Sequence, residues 1–144
     1  MFLVGFCAYI TIEVLYRGYS YPLMGLMGSV LFILIDNINE RYDWDVELPY
    51  QAVLGGIYAT SLELAVGMLD RMYFHQKMWD YSEEFLNFQG VICMKFTVYW
   101  CLLSIVAVLV ADFINYCLYR DSQVPYYWLF GRRWTPKVYD ILDE

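Results

Sequence analysis

Four apolar stretches alternate with polar connections along this chain. A bilayer span needs about 20 consecutive, mostly apolar residues, and the last two stretches reach that length while the first two are short. The pattern predicts an all-α, polytopic membrane protein with about four transmembrane helices, which together form a domain of residues 1–119. The four stretches are Phe2 to Tyr16, Pro22 to Ile38, Gln51 to Leu69, and Val91 to Tyr119.

The polar connections predict how these helices join. The link from Arg17 to Pro22 contains a glycine, which relaxes the backbone, and a proline suited to a first helical position, so we expect a tight helical hairpin. Residues Asn37 to Pro49 are polar enough to form a water-exposed loop. The segment from Asp70 to Gly90 alternates charges with aromatic rings, a mixture typical of the lipid headgroup zone.

Within that segment, the run Trp79-Asp80-Tyr81-Ser82 has two interpretations. In the first it is re-entrant and its polar groups line a cavity, since non-helical backbone at membrane depth is tolerated only inside protein or facing water. In the second it is an interfacial aromatic anchor, with Asp80 as a helix N-cap. His75, the single histidine, is expected to be a solvated loop residue.

Residues 120–144 form an aromatic C-terminal tail that we expect to lie along the membrane interface without spanning it. Tyrosine and tryptophan rings favour headgroup level, and basic residues accompany them in this tail. The distribution of lysine and arginine predicts that both termini are cytoplasmic. The N-terminal side would hold Arg41, Arg120, Arg132, Arg133 and Lys137, against Arg17, Arg71, Lys77 and Lys95 opposite.

Composition agrees with a membrane protein. With 60% hydrophobic and 20% aromatic residues and a mean hydropathy of +0.42, the chain is too apolar for an ordinary soluble domain. The net charge of -7 partly reflects acidic groups in the stretches 43–47 and 140–144, which solvate the ends, and no nucleic-acid partner is expected. No lysine or arginine precedes the first apolar stretch and no cleavage signature follows it, so we expect a retained helix.

The four cysteines are expected to be small core residues. They all fall inside apolar runs, with no Cys-x-x-Cys pair and no histidine at metal-ligand spacing, so neither a metal nor a cofactor is predicted. An enzyme is not predicted either, because the sequence offers no complete set of nucleophile, base and orienting group. The cysteines are Cys7, Cys93, Cys101 and Cys117.

The third apolar stretch carries the most informative face. Small residues on one side of a helix let a neighbouring helix approach closely, and a carboxylate within that side, Glu63, points toward protein or water rather than lipid. The opposite side is aliphatic. At about 100° per residue, the small and polar side contains Ala52, Gly56, Ala59, Thr60, Glu63, Gly67 and Asp70.

The first stretch places Tyr9, Glu13 and Arg17 at four-residue spacing, which predicts a local ion pair along one side of the helix. Alternating helix directions bring these residues and Glu63 toward the same membrane surface, where they would form one polar site. The simpler interpretation is that such carboxylates pair structurally or snorkel to the interface. Weaker polar signals come from Gly25, Ser29 and Asp36 in the second stretch and from Lys95 and Asp112 in the fourth.

Several motifs together resemble a known family. They are Glu13-x-x-Tyr16-Arg17-Gly18-x-Ser20, the Gln51 to Gly67 stretch with Thr60 and Glu63, and Trp79-Asp80-Tyr81-Ser82 followed by Asn87, Gly90, Ile92 and Cys93. With them the chain resembles the putative ABC-transporter type IV (permease-like) family of bacterial membrane proteins. The resemblance implies a multi-pass permease of the bacterial cytoplasmic (inner) membrane. The chain departs from the family pattern at Tyr21, Asp36 and Val91.

The sequence is compatible with two functions. The first is a permease or channel that moves a small polar solute or ion past intramembrane carboxylates, because such charges are costly unless they are used. The second is a non-transporting membrane subunit that anchors or assembles with a partner. Besides the lipid bilayer, expected partners are further copies of the chain or another membrane subunit, and a separate ATPase, since no phosphate-binding loop is present. The predicted substrate-binding residues are Tyr9, Glu13, Arg17, Thr60, Glu63, Trp79, Asp80 and Asn87.

Overall fold

The computed structural model describes residues 1–38, 46–119 and 124–142. Most of the described chain is helical, with two small antiparallel hairpins that the all-α prediction lacked. The helices are α1 (Phe2–Arg17), α2 (Pro22–Asp36), α3 (Leu48–Leu69), α4 (Met94–Tyr119) and α5 (Val138–Leu142), and a π-helical turn (Asp70–Phe74) extends α3. The strands are β1 (Asn87–Phe88), β2 (Ile92–Cys93), β3 (Tyr127–Leu129) and β4 (Arg132–Trp134).

Helices α1 and α2 form the predicted hairpin. Gly18 ends α1 in the left-handed conformation, with φ 85°, and its N–H donates to the carbonyl of Val14 over 2.8 Å. Pro22 then starts α2, where its missing N–H is no loss. The two helices are in close contact at Gly5, which has no side chain. A Cβ added there would lie only 2.6 Å from the carbonyl oxygen of Gly28.

Helices α3 and α4 form a second close pair, as the small face of α3 predicts. Gly55 packs on Ser104, and Gly56 packs on Cys101, whose backbone nitrogen would lie 3.2 Å from a Cβ at that position. Helix α2 contacts both partners. The shared core contains Leu31, Ile35, Leu48, Ala59, Val108 and Tyr127.

Within the part of the chain that the structure describes, two helical segments are long and apolar enough to cross a membrane, Leu48–Phe74 and Met94–Leu118. The first starts three residues before the predicted stretch, because Pro49 is tolerated in a first helical turn. The second starts three residues after Val91, because Ile92 and Cys93 pair with the strand Asn87–Phe88 instead. The apolar helix Pro22–Asp36 is shorter.

The described part of the C-terminal tail is folded against the helices. Tyr127, 1% exposed, donates its hydroxyl to Asp112 over 2.9 Å, and Gly131 N–H donates to the Glu47 carboxylate over 3.0 Å. Residues 39–45, most of the predicted loop, lie outside the described residues, as do 120–123 and 143–144 of the tail. Arg41 and Arg120, which entered the orientation prediction, are among them.

Candidate functional site

Glu63 lies at the centre of a buried polar cluster at one end of the helices. It projects from α3 and is 2% exposed. Its Oε1 accepts a hydrogen bond from the Tyr81 hydroxyl over 3.2 Å, whereas its Oε2 has no hydrogen-bond partner within the described ranges. The Trp100 indole lies beside the carboxylate, and its buried Nε1, which has no other acceptor among the described residues, is a potential second donor to it. A carboxylate with this much unused bonding capacity is suited to bind a further group.

The predicted ion pair between Glu13 and Arg17 is confirmed, with 2.8 Å between the Glu13 Oε1 and the Arg17 Nη2. Ser20 Oγ donates to the other carboxylate oxygen over 2.5 Å. Arg17 Nη1 also donates to the Met78 carbonyl over 2.6 Å. Both charged side chains are mostly buried, so this pair ties α1 to the segment that follows α3.

Tyr9 lies near both the ion pair and Glu63. The residue is buried, and its ring stacks on Trp100 with 5.6 Å between ring centroids. Glu63 and Glu13 both lie within electrostatic range of its hydroxyl. The structure thus brings Tyr9, Glu13, Arg17 and Glu63 close together, and their use as one binding site stays a prediction.

Residues 75–91, here named the cover segment, close this end of the bundle. Tyr81 stacks on Phe96 with 4.4 Å between centroids and reaches Glu63 with its hydroxyl. Burial, together with the charge of Glu63, raises the pKa of Tyr81 well above the ordinary tyrosine value, so the hydroxyl stays neutral and donates. Trp79 Nε1 donates to the Val91 carbonyl over 2.8 Å, and its ring packs on Gly67.

Two residues at the end of the third helix hold the cover segment. Asp70 accepts hydrogen bonds from the backbone N–H of Gln76 at 3.1 Å and Met78 at 2.9 Å. Arg71 Nη2 donates to the Gly90 carbonyl over 3.1 Å. Both residues belong to the π-helical turn, a feature frequent at functional sites.

Asp80 and Asn87 shape the cover segment and do not join the Glu63 cluster. Asp80 accepts from the N–H and the hydroxyl of Ser82 and lies 3.6 Å from Arg71. The Ser82 hydrogen bonds and the Arg71 charge lower the pKa of Asp80. Asn87 donates to the carbonyls of Ser82 and Glu84. The N-cap interpretation of Asp80 is wrong, because the residues after it form turns and the β1–β2 hairpin rather than a helix.

The remaining predicted residues lie at the edge of the site. Thr60 donates its hydroxyl to Thr97 over 3.1 Å and so links α3 to α4, one turn from Glu63. His75 is exposed, as predicted. Sequence reasoning missed Trp100 and Met78 as members of the site. Trp100 had a usable signal, because a tryptophan in an apolar helix usually seeks an acceptor for its N–H.

An apolar cavity of about 170 Å³ adjoins the polar cluster. It opens between α1, α2 and α4, and Tyr9 and Trp100 are among its lining residues. Within the described residues, no group of three or more His, Cys, Asp or Glu side chains could hold a metal ion. The arrangement thus combines a closed carboxylate site with a hydrocarbon-lined space beside it.

A model of the family described as Putative ABC-transporter type IV matches residues 4–130. The match includes α1 from Val4 onward, the whole of α2, α3 and α4, the cover segment and strand β3. Neither a curated protein nor a solved structure matches the chain.

Proposed function

The chain belongs to the Putative ABC-transporter type IV family, and from that premise we propose that it is a permease-like membrane protein that moves a small polar solute or ion past Glu63. The observation that carries the proposal is the buried carboxylate with one unpartnered oxygen. It sits in a helix long enough to span a bilayer. Ionisable groups in such helices are expensive, and they commonly mark the path of a substrate or proton.

The proposed architecture has four spans in the bacterial cytoplasmic membrane. Helices α1 and α2, of 16 and 15 residues, are only about 24 and 22 Å long. A hydrocarbon core of about 30 Å can thin locally around short helices at modest cost. The tight α1–α2 hairpin would then cross beside the α3–α4 pair. Four helices enclose little space, so we propose that several copies, or another membrane subunit, complete the pathway.

The charges favour a cationic or proton-linked substrate. With both carboxylates ionised, Glu13 and Glu63 outnumber the single guanidinium of Arg17, so the site has a net charge of -1. Arg17 already binds Glu13 and the Met78 carbonyl. Glu63 has one free oxygen for a further positive charge or hydrogen-bond donor. Access from water requires Tyr81 and the cover segment to move aside, which makes this segment the gate of the proposed pathway.

The test is flux through reconstituted protein over a panel of small ions and polar solutes. Glu63→Gln keeps the size of the side chain and its ability to accept the Tyr81 hydrogen bond but removes the charge. We expect this variant to insert normally and to lose flux by about tenfold or more, the effect of ~1.4 kcal/mol on a barrier.

The matched control is Glu84→Gln. Glu84 also pairs with a partner, Lys95, over 2.8 Å, but it lies in an exposed part of the cover segment outside the cluster. Its neutralisation should leave flux unchanged. Normal flux through Glu63→Gln would contradict the proposed role of the carboxylate.

The second candidate is a non-transporting subunit that binds a partner, including a separate ATPase. The sealing of Glu63 beneath Tyr81 favours it, since a closed polar seam can serve packing alone. In that case Glu63→Gln should keep its partner in pull-down experiments, and wild-type protein should move no solute in any vesicle assay.

A further inference from the structure

The hairpin of β3 and β4 exposes an unusual mixture of bulky apolar and basic side chains. Phe130, at its tip, is 81% exposed, and Leu129 and Trp134 are more than two-fifths exposed. Arg132 and Arg133 are exposed beside them. Phe130 and Gly131 both have positive φ, 50° and 74°, as a two-residue hairpin turn of type I′ requires. That turn holds a bulky ring outward where asparagine or aspartate is usual.

The hairpin region is positively charged, whereas the chain as a whole is negatively charged. Residues 124–137, here named the basic hairpin, contain Arg132, Arg133 and Lys137 and no acidic residue, whereas the whole chain has a net charge of -7. Among the described residues, Glu47 is a carboxylate that reaches the turn, where it accepts from the Gly131 N–H. The outward face of the basic hairpin is therefore positive and partly apolar.

The attachment of the basic hairpin sets its depth. Tyr127 bonds Asp112, near the end of α4, and Trp128 pairs with Glu47 just before α3 begins. The apolar part of α4, Met94–Leu118, is about 37 Å long, more than the roughly 30 Å of a hydrocarbon core. The basic hairpin thus lies at the level where such a helix leaves the hydrocarbon for the headgroups.

We propose that the basic hairpin binds the headgroups of anionic phospholipids, with Arg132, Arg133 and Lys137 facing the phosphates and Phe130 reaching toward the acyl chains. Exposed tryptophan and phenylalanine rings favour the membrane interface, and basic residues near an anionic surface each contribute to binding. The contribution corresponds to about fivefold in affinity per basic residue. This inference is independent of any transport activity.

The test uses purified full-length protein in vesicles that contain brominated phosphatidylglycerol or brominated phosphatidylcholine, which quench nearby tryptophans. Trp134 is the reporter. We expect stronger quenching by the anionic lipid at low salt, a smaller preference at 1 M salt, where the screening length falls to about 3 Å, and a reduced preference in Trp134→Phe.

Replacing both arginines, Arg132→Gln and Arg133→Gln, should lower the lipid preference by about fivefold for each change. The lysine versions of the same two changes should retain it. Lys95→Gln serves as the control, because Lys95 pairs with Glu84 at the opposite end of the bundle. Equal quenching by the two lipids, or a preference that survives loss of both arginines, would overturn the proposal. The proposal would also be overturned if the two arginines were needed only for binding an acidic protein partner and not for the lipid preference.

Discussion

At the scale of single residues, Glu63 accepts fewer hydrogen bonds than a buried carboxylate can accept. Its two oxygens offer about four lone-pair sites, and one neutral hydroxyl, that of Tyr81, occupies one of them. By contrast, Glu13 has both oxygens engaged, one by Arg17 and one by Ser20. This difference is why we propose Glu63, rather than Glu13, as the carboxylate that meets a solute.

Tyr81→Phe should loosen the cover segment without removing its ring. The phenylalanine keeps the stacking on Phe96 but cannot donate to Glu63, and a hydrogen bond to a charged group is worth about 1.5–3 kcal/mol. We expect a clear drop in the thermal midpoint of the detergent-solubilised protein. Tyr73→Phe, at a position 70% exposed, is the control and should melt like wild type. An unchanged midpoint for Tyr81→Phe would mean that its hydrogen bond to Glu63 contributes nothing to stability.

At the scale of elements, small residues on α3 set the distance between the two longest helices. Gly55 and Gly56 face Ser104 and Cys101, and helices in a bilayer associate mainly through such close packing. The same face then continues to Glu63, Gly67 and Asp70, all buried. Packing and the polar cluster therefore depend on one helical face.

Gly56→Leu should disrupt this pair of helices. A Cβ there would meet the Cys101 sulfur and lie 3.2 Å from the Cys101 Cα, so the helices must separate. Overpacking of a tight interface costs about 1–3 kcal/mol or more. Thermal melting and size-exclusion profiles in detergent should both change, whereas Ile57→Leu, on the half-exposed outer face, should change neither. A Gly56→Leu protein with wild-type melting and oligomeric state would contradict the close packing.

The helical elements were predictable because their signals are local. Apolar length predicted α3 and α4, and the Gly18–Pro22 signals predicted the α1–α2 hairpin. The small face of α3 was also visible in residue spacing. The short strands were not, because the β1–β2 and β3–β4 pairings depend on turns at Gly90 and Gly131 within segments whose aromatic content suggested an interface.

The candidate site was predictable only in part, for a similar reason. Four-residue spacing placed Glu13 beside Arg17, and helix direction placed both near Glu63. The path of residues 75–91 is set by long-range contacts, such as Arg17 with the Met78 carbonyl and Tyr81 with Glu63. Spacing along the sequence carries no information on these contacts, so the cover over Glu63 and the peripheral place of Asp80 and Asn87 emerged only from the structure.

At the scale of the whole molecule, the two ends of the bundle are closed differently. The cover segment closes one end through Asp70, Arg71 and Tyr81, while the basic hairpin closes the other through Tyr127 and Asp112. Burial, and then the charge of Asp112, raise the pKa of Tyr127. The folded state therefore favours the neutral form of Tyr127. The stability that Tyr127 contributes is fully present at pH values below the ordinary tyrosine pKa of about 10, and it is lost as the pH rises above that value.

Wild-type protein should therefore lose stability above about pH 10, and Tyr127→Phe should lose less over the same pH interval because phenylalanine cannot ionise. Thermal melting at stepped pH measures the difference. Tyr50→Phe, at a residue 67% exposed, should follow the wild-type curve. Parallel curves for wild type and Tyr127→Phe would show that Tyr127 does not link pH to stability.

Transport past Glu63 requires that water and solute reach this carboxylate in the native protein. A water-soluble carbodiimide with an amine nucleophile labels accessible carboxyl groups, and peptide mass spectrometry locates the label. In intact proteoliposomes we predict labelling of Glu63, slower than that of the partly exposed Glu84 and accelerated in Tyr81→Phe, because the cover segment must open first. Labelling of Glu63 only after denaturation, with Glu84 labelled normally throughout, would contradict the account and leave Glu63 as a sealed packing residue.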